Sequence, residues 1–253
     1  MILLSYISIV LLLYLIQLII ITLKQLLSNI EICVNPSIYL KDPASSDLGK
    51  KIIQGSIELI YDIGFEAFTF RKLAKAISST EASVYRYFES KHKLLVYLTS
   101  WYWSWLEYRL VFSIANVENP IIRLERAILI VTKQVEEDGN FAHINEIKLD
   151  QIVIAESSKA YLTKEVDEDN KIGSFAGYKQ LVERISLIIT EIKPDYKYPH
   201  MLVSTVIEGM HHQRYFAEHL PRLTDSVAGE DAITTFYQNM VLSTLKIEAS
   251  GKY

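Results

Sequence analysis

Residues 64–95 read GFEAFTFRKLAKAISSTEASVYRYFESKHKLL, and the spacing within this stretch indicates the fold. Apolar residues recur at helical spacing over 70–77, and Thr69 can accept the first hydrogen bond of that helix as its N-cap. Residues 78–80 (Ser-Ser-Thr) predict a turn, and a second short helix is expected to follow it to about residue 88. Two short helices joined by a turn of a few residues are typical of the helix-turn-helix layout.

A longer helix is predicted on each side of this pair. The first begins near residues 45–47, carries a stripe of isoleucines and ends at Gly64. The second follows Ser90, a candidate N-cap, and runs from Lys91 to about Phe112. Few prolines and glycines interrupt the rest of the chain, so we expect an all-α protein whose N-terminal part is a three-helix helix-turn-helix domain.

The second short helix divides its faces by chemistry. Val84 and Phe88 lie four residues apart and are predicted to face the core. The opposite face offers hydroxyl, guanidinium and phenol groups, which suit phosphate oxygens and base edges in a DNA major groove. These groups belong to Thr80, Ser83, Arg86 and Tyr87.

The formal net charge of −4 hides an uneven distribution. Residues 50–97 carry eight Lys or Arg and five Asp or Glu, which gives +3, whereas residues 98–253 carry 16 and 22, which gives −6. A locally basic segment on an acidic chain indicates a part that binds a polyanion joined to a part with another role. Cys33 is the single cysteine, which excludes an intramolecular disulfide framework and fits a reducing compartment.

No pattern typical of an enzyme is present in the sequence. It has no Ser-His-Asp order, glycine-rich phosphate loop or metalloprotease helix, and no cofactor is expected. Glu208, His211 and His212 place a carboxylate and two imidazoles at helical spacing, which can bind a metal but is more often a polar helix face or an interface network. We therefore expect neither a catalytic residue nor a metal site.

Residues 2–23 (ILLSYISIVLLLYLIQLIIITL) carry no charge. A helix of that length, at about 1.5 Å per residue, can cross a bilayer, and by the positive-inside tendency Lys24 would place the body in the cytoplasm. Two interpretations stand. The segment is a transmembrane anchor, or it is a translated upstream region that a later start codon near Ser28 would remove.

The stretch quoted first resembles the DNA-binding domain of the tetracycline-repressor (TetR), or AcrR-type, family of bacterial transcriptional regulators. The resemblance covers about 45 residues. It rests on Gly64-Phe65, Thr69, Arg71, Leu73-Ala74, Val84-Tyr85, Tyr87-Phe88, Lys91 and Leu94. Two positions depart from the family's pattern: Ser78 stands where the turn commonly has glycine, and Phe68 stands where a second hydroxyl is common.

The resemblance implies a role for each matching residue in an operator complex. Side chains at the start of the first short helix and on the second would read base edges, while tyrosines and a lysine would bind phosphates. Taken singly, Tyr85 can also be a core aromatic and Arg86 a solvated surface charge. The expected DNA-binding residues are Thr69, Arg71, Thr80, Ser83, Tyr85, Arg86, Tyr87 and Lys91.

Four further helices are expected in the body, at about 121–137, 174–193, 200–219 and 230–248, with 165–171 (EVDEDNK) as a solvated acidic loop. In the long helix after Ser90, Trp101, Trp105 and Tyr108 lie along one stripe. This stripe is either a hydrophobic face packed on the body or, as the resemblance implies, part of the lining of an effector pocket.

These observations divide the chain into a hydrophobic segment (1–28), a DNA-binding domain (45–95) and a helical effector-binding and dimerisation domain (96–253). We expect a TetR-type regulator, not an enzyme, in the cytoplasm at the nucleoid. As a repressor, it would bind a palindromic double-stranded operator as a homodimer through its last two helices and release it when an unknown small molecule binds. The alternative is a sensor or adaptor, anchored to the inner membrane through residues 2–23, whose helix-turn-helix no longer binds DNA.

Overall fold

A computed structural model describes residues 32–137, 141–225, 227 and 229–248. Within these ranges the regular structure is helical throughout, as the all-α prediction requires. No helix in them is long and apolar enough to cross a bilayer. The predicted span at residues 2–23 lies outside the described residues.

Three helices form the N-terminal domain: α1 (Asp47–Ala67), α2 (Phe70–Ala76) and α3 (Glu81–Tyr85). A hydroxyl side chain caps each of them by accepting a backbone N–H three residues on, which satisfies one of the donors that a helix start leaves free. The caps are Ser46, Thr69 and Thr80.

Gly64 interrupts α1 where the sequence predicts its end. Its backbone has φ +74°, a left-handed conformation that glycine adopts without steric cost. Helical structure resumes for one more turn to Ala67. The chain therefore bends at Gly64, and residues 65–67 form a short segment beyond the bend.

The turn between α2 and α3 bends at Ser78, whose φ is +53°. The Ser79 amide donates to the Ala74 carbonyl at 2.8 Å, which closes the C-terminus of α2. The position thus requires the left-handed backbone for which the TetR-like pattern uses glycine, and the serine adopts it at a cost of about 1–2 kcal/mol.

A small hydrophobic core holds the three helices together. Phe68, the residue that replaces a hydroxyl in the pattern, lies fully inside this core. Burying each such side chain stabilises the fold by about 1.5–3 kcal/mol. Other members include Ile53, Ile57, Leu73, Val84 and Phe88.

The long helix α4 (Lys91–Ile114) joins this domain to the body, and Ser90 caps it as predicted. Because α4 runs without a break through residues 95 and 96, it belongs to both parts. The other helices of the body pack around it and beside it. They are α5 (Pro120–Thr132), α6 (Glu146–Glu156), α7 (Ser158–Tyr161), α8 (Val166–Lys171), α9 (Ala176–Ile192), α10 (Pro199–His219) and α11 (Ala232–Leu245).

The prediction of a solvated acidic loop at 165–171 is wrong. The segment is the short helix α8, and Asp169 on it is buried. The Asp169 carboxylate accepts hydrogen bonds from His92 at 2.9 Å and from Lys93 at 2.6 Å, both in the first turn of α4. Although burial raises the pKa of Asp169, these two hydrogen bonds outweigh it and hold the pKa below its ordinary value.

Candidate nucleic-acid interface

The first turn of α2 presents polar and basic side chains to solvent. Thr69 and Arg71 are both exposed there, as predicted for residues that approach DNA. Lys72 and Lys75 are exposed beside them, and the Lys72 ammonium donates to the Ala67 carbonyl at 2.8 Å. This end of the domain therefore carries three cations on seven residues of helix, which suits a polyanion.

On α3, three polar side chains form one hydrogen-bonded chain. The hydroxyls of Thr80 and Ser83 lie 2.8 Å apart, and the Arg86 guanidinium donates to the Ser83 hydroxyl at 3.2 Å. Thr80 and Arg86 are exposed as expected, but the expectation that Ser83 lies on the exposed face is wrong, because the residue is 8% exposed. Ser83 thus orients Arg86, whose remaining N–H groups are free to reach a base edge or a phosphate.

The two tyrosines of the motif have different surroundings. Tyr85 is half exposed and packs edge-on against the Phe70 ring, with centroids 4.9 Å apart. Tyr85 and its neighbour Arg86 are both exposed, in keeping with a phosphate contact by the Tyr85 hydroxyl.

The expectation that Tyr87 lies on the exposed face of α3 is wrong, because its side chain is 3% exposed. Tyr87 follows the buried Val84 by three residues, and residues three or four apart share one face of a helix. The Tyr87 ring therefore points into the core together with Val84 and Phe88. The Tyr87 hydroxyl lies 2.8 Å from the hydroxyl of Ser46, the cap of α1, and this hydrogen bond lowers the pKa of Tyr87. Tyr87 therefore braces the start of α1 against α3.

Lys91 also makes contacts within the protein. Its ammonium donates to the carbonyls of Phe65 and Glu66 at 3.1 and 3.3 Å, and it lies 4.7 Å from the centroid of the Phe65 ring. Carbonyls at a helix C-terminus attract cations. The group expected at a phosphate thus holds the segment of α1 beyond Gly64 against the start of α4.

The aromatic stripe of α4 is packed inside the body. Trp101 and Trp105 are buried with their rings stacked 6.2 Å apart, and Phe141 meets Trp101 edge-on at 5.3 Å. Tyr108 is partly buried beside Phe112 at 4.7 Å. This is the packing that the first interpretation of the stripe describes.

A cavity of about 550 Å³ lies between the N-terminal domain and the body; we call it the interdomain cavity. Its walls come from α1, α6 and the C-terminal half of α10, and none of Trp101, Trp105 and Tyr108 lines it. Residues that define it include Tyr61, Gly64, Asp150, Ile152, Glu156 and Arg214.

Glu208 and His211 of α10 make contacts with other side chains inside the body. Glu208 accepts hydrogen bonds from the hydroxyls of Tyr161 and Tyr178 at 2.8 and 2.9 Å. His211 is buried against the Trp103 ring, and burial lowers the pKa of His211 to about 4. Among the described residues no group of three side chains is placed to hold a metal ion.

Sequence reasoning missed the contacts that tie the N-terminal domain to the body. Glu156 on α6 accepts the Phe65 amide at 3.1 Å, and Lys159 forms ion pairs with both Glu156 and Glu66. Phe65 and Glu156 lie 91 residues apart in the sequence. The one local signal was Gly64, which marks the bend where these groups meet.

Comparison with known proteins gives one family match. The family described as bacterial regulatory proteins, tetR family, matches residues 52–98, which span α1 to the first turns of α4. No curated protein matches the chain.

Solved structures share the fold, and two of them serve as examples. One is the superantigen PfiT, 16% identical, with a TM-score of 0.54 over 80% of this chain and 97% of that chain. The other is PfmR, a TetR family transcriptional regulator from Thermus thermophilus, 14% identical, with a TM-score of 0.50 over 79% of this chain and 99% of that chain. The shared fold confirms the predicted all-α class, and the family match confirms the resemblance of residues 52–98 to the tetR family.

Proposed function

We propose that this chain is a transcriptional regulator of the tetR type: a repressor that binds a palindromic operator as a homodimer and leaves it when a small molecule binds. The family match over residues 52–98 supports the proposal. Residues 45–95 hold the DNA, and residues 96–253 bind the effector and form the dimer. The protein acts in the cytoplasm, at the nucleoid.

The surface of α2 and α3 is the observation that carries the proposal. Thr69, Arg71, Thr80, Tyr85 and Arg86 are exposed together at one end of the domain, next to two further lysines. This surface is basic on a chain of net charge −4, so it selects a polyanion over other partners. Ser83 supports it by orienting Arg86.

Tyr87 and Lys91 are proposed to support DNA binding indirectly. Each holds one end of α1 in position, so their contribution to DNA binding comes through the orientation of the domain. If DNA binding frees the Tyr87 hydroxyl or the Lys91 ammonium from these contacts, either group can add a phosphate contact.

The dimer is proposed to form through α10 and α11. Within the apolar stripes of these helices Val206, Met210 and Ile233 are buried, whereas Met201 and Phe236 remain 66% and 57% exposed. Two-fold pairing of such a face would cover them and would set two α3 helices at the spacing of successive major grooves, about 34 Å.

The proposal is tested by titrating the full chain onto labelled genomic fragments, its own upstream region first, at several salt concentrations. We expect preference for one fragment and an affinity that falls steeply with salt, since phosphate contacts release counterions. Equal binding to all fragments, or none at low salt, contradicts the proposed function.

A further inference from the structure

The interdomain cavity has the size and lining of a ligand site. Its volume, about 550 Å³, lies within the range of about 300–1,000 Å³ that is usual for small-molecule sites. Ile60, Ile147 and Ile152 supply apolar wall on two opposite helices, α1 and α6. Polar groups project among them, so the cavity suits a molecule with an apolar part and a polar head.

Asp150 is the polar group of the cavity that determines which polar head group a ligand should carry. The residue is 8% exposed, and its carboxylate accepts a hydrogen bond from the Tyr102 hydroxyl at 2.5 Å. Arg109 and Arg214 attract it from a distance, but this attraction does not outweigh the loss of water around the carboxylate. Desolvation therefore raises the pKa of Asp150 to about 6, so the group is still charged at neutral pH in a place where the charge is costly.

The other charged groups of the cavity already have partners. Arg214 donates to both oxygens of Asp231 and to the Thr132 carbonyl, and Glu156 pairs with Lys159 at 2.6 Å. Glu218 also lines the cavity, where the His219 imidazole lies 4.0 Å from its carboxylate. The cavity therefore has an incompletely neutralised negative charge at Asp150, and a cationic ligand would neutralise it.

We propose that the interdomain cavity binds an amphipathic organic cation, with its ammonium group on Asp150 and its apolar part between α1 and α6, and that this molecule is the effector. The inference rests on the proposed function, whose effector it assigns to a chemical class and a site.

The position of the cavity explains how ligand binding can change the orientation of the DNA-binding domain. Gly64 and Glu156 line it, and the hydrogen bond from the Phe65 amide to Glu156 joins α1 to α6 beside it. A ligand lying between the two helices favours states in which this junction is more open. The bend at Gly64 then changes, and α2 and α3 move with it.

Isothermal titration calorimetry of the full chain tests the site with three matched probes: naphthylbutylamine, naphthylbutanol and naphthylbutyric acid. We expect the amine to bind at least tenfold more tightly than the alcohol and the acid. Asp150→Asn should remove this preference, while Glu165→Gln, the same charge change on an exposed residue outside the cavity, should leave it intact.

A second variant keeps the test independent of Asp150. Ala155→Trp adds a large side chain at an exposed wall position and should abolish binding of all three probes while the melting temperature stays near that of the wild type. Tighter binding of the acid, no binding of the amine, or amine binding unchanged in both variants overturns the inference.

DNA binding of the same preparations separates the two proposals. Operator binding by a protein that does not take up the amine means that the ligand site is wrong and the proposed function stands. Selective amine binding by a protein that does not bind DNA means that the ligand site is right and the proposed function is wrong. Amine binding that lowers operator affinity at least tenfold in the wild type, and not in Asp150→Asn, supports both.

Discussion

Ser78 illustrates how one residue can meet a backbone requirement that its side chain does not favour. Its φ of +53° is a conformation in which an L-residue costs about 1–2 kcal/mol, against about 0.5–1 kcal/mol for the extra entropy that glycine loses on folding. We expect Ser78→Gly to stabilise the protein by about 0.5–1 kcal/mol in urea unfolding. Ser79→Gly, in the same turn but without a left-handed backbone, should destabilise it. A loss of stability in Ser78→Gly contradicts the strain argument.

The raised pKa of Asp150 predicts how the stability of the protein depends on pH. Its pKa is raised from 3.8 to about 6, so the folded protein holds a proton there that the unfolded chain releases. The stability that the protonated group contributes is therefore full below about pH 4 and lost as pH rises through about 6. Asp150→Asn keeps an acceptor for Tyr102 without the charge.

At pH 7 we expect Asp150→Asn to raise the free energy of unfolding by about 2–3 kcal/mol, and the gain should shrink towards pH 4. Urea unfolding at several pH values measures both. Asp195→Asn, at an exposed acid, is the control and should change little. If Asp150→Asn lost stability at pH 7, the carboxylate would have to be a paired structural group.

Features of single residues that depend only on near neighbours in the chain were predicted correctly from the sequence. Thr69, Thr80 and Ser90 cap the helices expected of them because capping depends on neighbours three residues away. Tyr87 was placed on the wrong face, although it follows the buried Val84 by three residues and so shares its side of the helix. Its hydrogen bond to Ser46, 41 residues earlier, is a contact that local patterns do not contain.

The short helix α8 shows what patterns miss at the scale of an element. EVDEDNK has the composition of a solvated loop, and three of its four acids are exposed. Only Asp169 turns inward, towards partners 76 and 77 residues earlier in the chain. No local periodicity contains that information, whereas α9, α10 and α11 have apolar stripes that predicted them to within a few residues.

We expect Asp169→Asn to lower the free energy of unfolding by about 1–3 kcal/mol, because Lys93 loses a buried charged partner. Hydrogen exchange of residues 166–171 should quicken as α8 comes away from α4. Asp167→Asn, an exposed acid on the same helix, should change neither quantity. Equal effects of the two substitutions would falsify the role given to Asp169.

For the whole molecule, the face of α10 and α11 predicts a dimer. Phe236→Glu places a charge on a side chain that is exposed in the isolated chain and covered in the proposed dimer. Analytical ultracentrifugation should show the variant dissociating at concentrations where the wild type is dimeric. Leu187→Glu, at a similarly exposed residue of α9, is the control and should remain dimeric. Dissociation of both variants, or of neither, contradicts the assigned face.

The N-terminal domain was the most predictable part of the molecule because its fold and its proposed DNA-binding surface use the same short stretch. Gly64, the turn and the caps are local, and the basic surface follows from them. The interdomain cavity was not predictable, since Tyr61, Asp150 and Arg214 come from three helices that meet only in the folded chain. The aromatic stripe at Trp101 was visible in the sequence, but its packing partner Phe141 was not.

Arg86 is the central residue of the proposed recognition surface, because it is the exposed cation that α3 presents to DNA. Fluorescence anisotropy should compare the full chain, Arg86→Ala and Arg222→Ala on the preferred fragment and on scrambled DNA; Arg222 is an exposed arginine after α10. We predict that Arg86→Ala weakens binding to the preferred fragment by about 1–3 kcal/mol, roughly five- to hundredfold, and reduces its preference over scrambled DNA. Arg222→Ala should bind like the wild type. Unchanged affinity and preference in Arg86→Ala would contradict the recognition surface.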